Sequence, residues 1–490
     1  MLFKLWRSTT CTLTMNHVFL ISLLITRFTM KNKKDTSFNL DDFTSTTTLA
    51  TNEVSAQIPS NGTLKDDGEY NPFEHRIVEH PTSTVGSLIH LLKGALGTGI
   101  LAMPHAFKNA GLLLGSVATI AIGILCTHCI HLLVSASRDI CRRSKVPSLG
   151  LAETCGAAFD YGPKCLRKYS GAVKVFADIS LVVTYFMGVC VYIVFIAEST
   201  EQLVKHWFPE FELDTRIYSA ITMIPLLLST QIRQLKYLVP FSFLANICLL
   251  VGFGITLYYV FNETPDLSSV PLFESLERLP TFLSTVIFAM EGVGVVMPVE
   301  NTMKHPQRFL GWFGVLNVAM GTVVVIYGVI GFFGFLRFGE ETEASITLNL
   351  PVSESLAQSV KVLVVLAVFF TYNLQTYVAL DVIWKRILSP RVQGKVKINF
   401  AQIAMRCLFV AGTVIIAVVV RNLEPIITLV GSVCLSTLGI LLPAVVDTVL
   451  HFDKLGFLKW RLFKNIFLCV FSLVALVSGL MISIHSLINN

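Results

Sequence analysis

The sequence predicts an all-α polytopic membrane protein with eleven transmembrane helices. Three observations carry that expectation. Apolar runs of helix length recur from residue 84 to the C-terminus. Only 14% of the 490 residues are charged and 53% are hydrophobic, whereas a soluble domain is about one quarter charged. Two of the runs are broken by glycines and followed by a proline, and lipid tolerates such backbone only where protein or a cavity surrounds it.

Residues 1–83 read as a cytosolic tail and residues 84–490 as the transmembrane domain. A short apolar run, Val18 to Ile25, follows Lys4 and Arg7 in the manner of a signal peptide. Arg27 and the Lys31-Asn-Lys-Lys34 cluster come next with no small-residue cleavage site, so that reading is rejected. An extension upstream of a second start at Met30 is the mundane alternative. Asp35 to Pro81 is rich in Ser, Thr, Asn, Asp and Glu and is expected to be disordered. Tyr70-Asn-Pro-Phe-Glu-His-Arg76 is placed over the inner mouth.

The first apolar run, Ser87 to Asn109, holds Gly94, Gly97 and Gly99, with Pro104 behind them. Each mid-helix glycine costs about 1 kcal/mol relative to alanine, and proline removes a ladder hydrogen bond. Two half-helices are expected, near 85–96 and 100–107, joined by unwound Gly97-Thr98-Gly99. Unpaired N–H groups at the start of the second half suit a carboxylate. A glycine-rich packing helix is the structural alternative. The run Thr281 to Met303 repeats the design with Gly292, Gly294 and Pro298, and it carries Glu291 and Glu300. Two glycine-broken spans at corresponding positions point to a transport site between inverted repeats.

The remaining spans fall near 111–136, 172–199, 215–231, 239–261, 309–335, 357–383, 400–420, 425–450 and 465–487. Five connections, at 137–171, 232–238, 301–309, 385–398 and 451–464, hold twenty Lys or Arg, against six in the others. This positive-inside asymmetry places the N-terminus in the cytosol and the C-terminus outside or in a lumen. The net charge of +6 is explained by those loops and does not call for nucleic acid. Asn262-Glu-Thr264 is a glycosylation sequon on an expected outer loop. No cysteine falls in an expected outer loop, so no external disulfide is expected.

No nucleotide-binding fingerprint, nucleophile elbow or zincin motif is present, so an enzyme or an ATP-driven pump is not expected, and no cofactor or metal is called for. Ionisable residues inside spans are functional candidates by default. His90 and Lys93 share one face of the first half-helix, ahead of Gly97. Histidine suits a proton relay, with a packing hydrogen bond as the alternative. Lys93 either serves the site or snorkels to the surface. Glu291, at the second break, is a candidate proton carrier or partner for a substrate ammonium. Tyr185 either offers its hydroxyl to a bound carboxylate or packs in the core, and Phe288 is placed to gate a small ligand. Asp178, Asp381, Arg406 and Asp447 lie near the inner ends of their spans and are expected to pair structurally.

The runs Leu88-Ile-His-Leu-Leu-Lys-Gly94, Gly97-Thr-Gly-Ile100, Met103-Pro104, Phe107-Lys-Asn-Ala-Gly111, His128-Cys129, Gln234-Leu-Lys-Tyr237, Glu291-Gly-Val-Gly-Val-Val-Met-Pro298 and Glu300-Asn301 together carry a resemblance. From about Asn71 onward the chain resembles the proton-coupled amino acid transporters of the amino acid/auxin permease group, most of all the insect branch. The resemblance implies a LeuT-like five-plus-five inverted repeat with discontinuous helices 1 and 6 and an eleventh helix appended. Helices 1–5 would fill about 84–261, helices 6–10 about 280–450, and helix 11 about 465–487. It also implies symport of a proton with small neutral amino acids such as alanine, glycine or proline. His90 matches the family's proton-coupling histidine, and His128 matches a second histidine of less defined role. Gly97, Thr98 and Gly99 would hold the substrate carboxylate, and the second break its ammonium. Cys190 matches one partner of a disulfide found in some members, but the loop at 336–356 has no cysteine to complete it. Members occupy plasma and lysosomal membranes, so either membrane fits. The rival readings are a sodium-coupled transporter and a receptor-like amino acid sensor that moves little substrate. Oligomeric state is not legible.

Overall fold

The computed structural model describes residues 70–489 apart from 77, 79–80, 96, 211–212, 234, 263–266, 291, 390–391, 393, 421 and 454–458. Residues 1–69, including the run at Val18 and most of the tail, lie outside the described residues. Among those described, helices dominate and the one β-type contact is a parallel bridge between Thr82 and Met303. This is the expected all-α outcome, because a chain in lipid must satisfy its backbone groups internally.

The helices are α1 (Thr84–Ala95), α2 (Gly99–Lys108), α3 (Leu112–Ser144), α4 (Leu151–Asp160), α5 (Ser170–Trp207), α6 (Thr215–Ser229) and α7 (Leu235–Asn262). Then come α8 (Leu279–Ala289), α9 (Val293–Thr302), α10 (Val315–Phe338), α11 (Ser355–Ile383), α12 (Lys395–Val419), α13 (Leu423–Leu450) and α14 (Trp460–Asn489). Helix α13 runs through π turns at Val430–Leu435 and Thr437–Leu441, a distortion common at functional sites. Both anticipated breaks are present. Helices α1 and α2 meet at 52°, and α8 gives way to α9 across 290–292. The halves run antiparallel: α2 packs on α8, and α1 packs on α9. The first and sixth apolar segments are thus the discontinuous ones, as the five-plus-five order requires, and α14 lies against α8 and α13.

One expectation is not confirmed and one needs correction. Nine described helices are long and apolar enough to cross a membrane, or ten with the bent pair as one span. The expected span at 215–231 is α6, only 15 residues long. At 1.5 Å per residue it covers about 22 Å, short of the roughly 30 Å hydrocarbon core. The basic connection at 137–171 is also no plain loop. Helix α3 continues to Ser144 and ends at Lys145 in the left-handed region, and α4 packs on α5 and α13. Cys155 is buried in α4.

Large apolar side chains such as Ile124, Leu228, Leu250, Leu408 and Met481 point outward, the surface expected against lipid chains rather than water. Gly111 starts α3 with φ +85°, and a Cβ there would meet Leu272 O at 2.6 Å. That close approach lets the 271–272 carbonyls accept the first N–H groups of α3.

Candidate substrate site between the two breaks

The two breaks face one another because glycine permits it. A Cβ on Gly99 would sit 2.7 Å from the Ala289 Cα, so α2 touches the end of α8 only with glycine there. A Cβ on Gly97 or Gly292 meets nothing within 4 Å. Both unwound segments therefore border open space. Within the first break Gly97 N–H donates to Ala95 O (2.9 Å) and Leu101 N–H to Thr98 O (3.1 Å). The N–H groups of Gly99 and Ile100 precede the first intrahelical bonds of α2 and suit an anionic group.

One side chain joins the breaks, and sequence reading missed it. The fully buried Tyr327 of α10 hydrogen-bonds through its hydroxyl to Ala95 O at the end of α1, and lies 3.1 Å from Ala289 O at the end of α8. The carbonyls exposed by helix termination thus share one donor.

A small cavity opens beside the breaks. Thr98 and Ala102 form one wall and Phe288 another. Val191 and Phe195 of α5, Ala344 and Ser345 of the 339–354 connection, and Leu423 and Ile427 of α13 complete it. Thr98 and Phe288 are where the sequence placed them. The α5, α13 and 344–345 contributions were not anticipated. The stretch Ala344–Leu348 is buried, which sets it apart from an ordinary surface connection.

The other expected residues fall nearby with distinct surroundings. A Cβ on Gly294 would lie 2.6 Å from the Tyr185 hydroxyl, so Tyr185 stands against α9 just past the second break. Gly94 faces Val295 of α9 across an ordinary van der Waals gap of 3.7 Å. His90 is buried on α1 at 3% exposure. The Lys93 ammonium reaches Ser242 Oγ on α7 at 3.3 Å. Glu291 lies outside the described residues. Asn262 is exposed at the end of α7, while the rest of its sequon lies outside the described residues.

The helix ends that adjoin the basic loops are tied together. Glu300, 2% exposed at the end of α9, pairs with Arg76 Nη1 (3.0 Å) and Arg138 Nε (3.0 Å). Both guanidinium groups flank the Phe73 ring at 5.1 Å, a cation–π arrangement. Arg76 also donates to Pro147 O and Glu300 O. The Tyr70–Arg76 segment thus sits over the basic-loop ends of α3 and α9. On the opposite side, His105 of α2 lies 3.5 Å from Glu424 of α13, and Glu198 of α5 accepts the Leu423 N–H at 2.7 Å.

Comparison with known proteins identifies the family. The family described as "Transmembrane amino acid transporter protein" matches residues 80–485. The chain is 39% identical over 423 residues to the Drosophila melanogaster "Proton-coupled amino acid transporter-like protein pathetic", covering 86% of this chain and 88% of that one. It is 24% identical over 416 residues to the Caenorhabditis elegans "Probable amino acid transporter skat-1", covering 82% and 90%. Among solved structures, MhsT in complex with L-phenylalanine aligns with 82% of this chain at 15% identity and a TM-score of 0.46. These relatives are transporters and not enzymes. The chain is a multi-pass membrane protein that belongs to the transmembrane amino acid transporter family.

Proposed function

We propose that the protein carries small neutral amino acids together with protons, by alternating access about the cavity between the two breaks. The observation that carries this reading is that Thr98 of the first break and Phe288, just ahead of the second, line one cavity. The substrate carboxylate meets the N–H groups of Gly99 and Ile100, and its ammonium meets carbonyl groups where α8 ends. Apolar walls from Val191, Phe195 and Ile427 receive a short side chain. His90 and Glu291 are the proton-carrying candidates. The positive loops favour a cytosolic N-terminus, and either a plasma or a lysosomal membrane fits. The relative named as proton-coupled supports the choice of ion.

The test is alanine uptake into liposomes holding the purified protein, with and without an inward proton gradient and with sodium replaced. Gradient-driven accumulation indifferent to sodium is expected, and His90→Ala should abolish the coupling. Accumulation that survives His90→Ala moves the proton site to Glu291. Binding without accumulation of any small amino acid overturns transport in favour of sensing.

A further inference from the structure

Several charged side chains within the described spans have a counter-ion. Asp178 pairs with Arg386 at 2.7 Å, Asp381 with Lys385 at 2.9 Å, and Asp447 with Arg461 at 2.9 Å. Lys361 of α11 has no ion pair but donates to Gln202 Oε1 and Leu348 O, whereas Arg406 of α12 has neither an ion pair nor a hydrogen bond among the described residues. It is 7% exposed, its Nε has no hydrogen-bond partner, and its guanidinium forms no ion pair among the described residues. The nearest carboxylate acting on it, Asp381, is engaged by Lys385, and the other nearby charge is the like-signed Arg233. Burying a cation without a partner is strongly unfavourable, so the position calls for a negative group from outside the chain.

The surroundings supply a place for one. Arg406 lines a narrow surface cleft together with Ser229 and Thr230 at the end of α6, and Asn373, Thr376 and Tyr377 of α11. Asn373, 5% exposed, gives its Nδ2 proton to Phe369 O (3.0 Å), which leaves its Oδ1 as a buried acceptor with no donor. The cleft therefore presents a cation beside an acceptor. It lies where the short α6 stops, and its neighbours Leu228 and Leu408 are 73% exposed on the lipid-facing surface. A helix too short for the bilayer draws headgroups inward, and basic pockets between membrane helices hold anionic headgroups.

We infer that the α6–α11–α12 cleft binds a phosphate that also bears a hydroxyl donor, with the oxyanion on Arg406 and the hydroxyl on Asn373. An inositol phospholipid headgroup and free hydrogen phosphate share that chemistry. Phosphatidylcholine has the phosphate but neither a net negative charge nor a hydroxyl.

The full chain is reconstituted in nanodiscs of phosphatidylcholine with phosphatidylinositol, and retained lipid is read by native mass spectrometry. In a second arm, inorganic phosphate is titrated against the melting temperature in detergent. One phosphatidylinositol retained per chain, reduced about tenfold or more in Arg406→Gln, is expected for a headgroup site, since a charge-assisted hydrogen bond is lost. A phosphate-dependent rise in melting temperature that Arg406→Gln abolishes identifies the free ion instead. Asn373→Leu keeps the cation and removes the acceptor, so it serves if Arg406→Gln does not fold, and it too should lose retention. Equal lipid retention and equal phosphate response in wild type and in the folded variants overturn the inference.

Discussion

The two broken spans share one sequence design and differ in shape. The first bends by 52° between α1 and α2, while Leu276–Thr302 holds close enough to one axis to count as a single span of 27 residues. Each has glycines followed by a proline, so local propensity does not explain the difference. Packing does. Gly99 lies against the backbone of Ala289, and α2 leans onto α8 and α10. At the second break Gly292 meets nothing, and α9 is pinned farther along by the Glu300 ion pairs. The lesson is that glycine and proline decide where a membrane helix stops, and neighbouring elements decide how far it turns.

The comparison can be broken most severely at Gly99. Gly99→Val should eliminate the folded protein, read as the monodisperse yield from detergent, because the clash is with backbone that cannot step aside. Gly97→Ala, with open space around its Cβ, should fold as wild type and show its effect in uptake. Next in size is Glu300→Gln, which leaves two buried guanidinium groups with a neutral partner. A loss of about 3–5 kcal/mol is expected for a broken buried pair, read as a large drop in melting temperature. Arg138→Gln alone should cost less, because Arg76 still pairs with the carboxylate.

Tyr327→Phe sharpens the link between the breaks. Two terminal carbonyls lose their shared donor, at about 1–3 kcal/mol. Uptake should fall further than the melting temperature implies, and an unchanged rate would remove Tyr327 from the site. The smallest effect lies away from both breaks, in the turn after α13. There His451 hydrogen-bonds to Asp139 (3.1 Å) and stands 3.2 Å from an Asp447 carboxylate oxygen. Its contacts to Asp139 first and Asp447 second raise its pKa to about 9, against about 6.5 when unfolded. A raised folded value stabilises fully below the unfolded pKa and fades as pH climbs to the folded one. The melting temperature should therefore decline from about pH 6.5 to about pH 9, with Arg461 charged throughout. His451→Gln should flatten that slope, and an unaltered slope would show that other groups govern it.

Much of the site was legible in the chain itself. Gly97-Thr98-Gly99 and Gly292 mark the breaks, because helix propensity acts within a few residues. Asp381 and Lys385 are four apart and pair as their spacing suggests. Hydropathy located the spans, since lipid selects apolar length directly. It also marked the apolar run of α6, whose helix is 15 residues long.

Tertiary structure alone decided the rest. Tyr327 is 232 positions from the Ala95 carbonyl it reaches, and Glu300 is 224 positions from Arg76. Ser345 and Leu423 come to the cavity from segments with no sign of a site. Arg406 carries the opposite lesson: Arg386 found a carboxylate, whereas Arg406 did not. Propensity and hydropathy are read over a few neighbouring residues, so sequence determined the helices, their breaks and the membrane setting. Which hydroxyl joins two breaks, and which cation is left without a partner, depend on how distant helices close on one another, and that is set by packing.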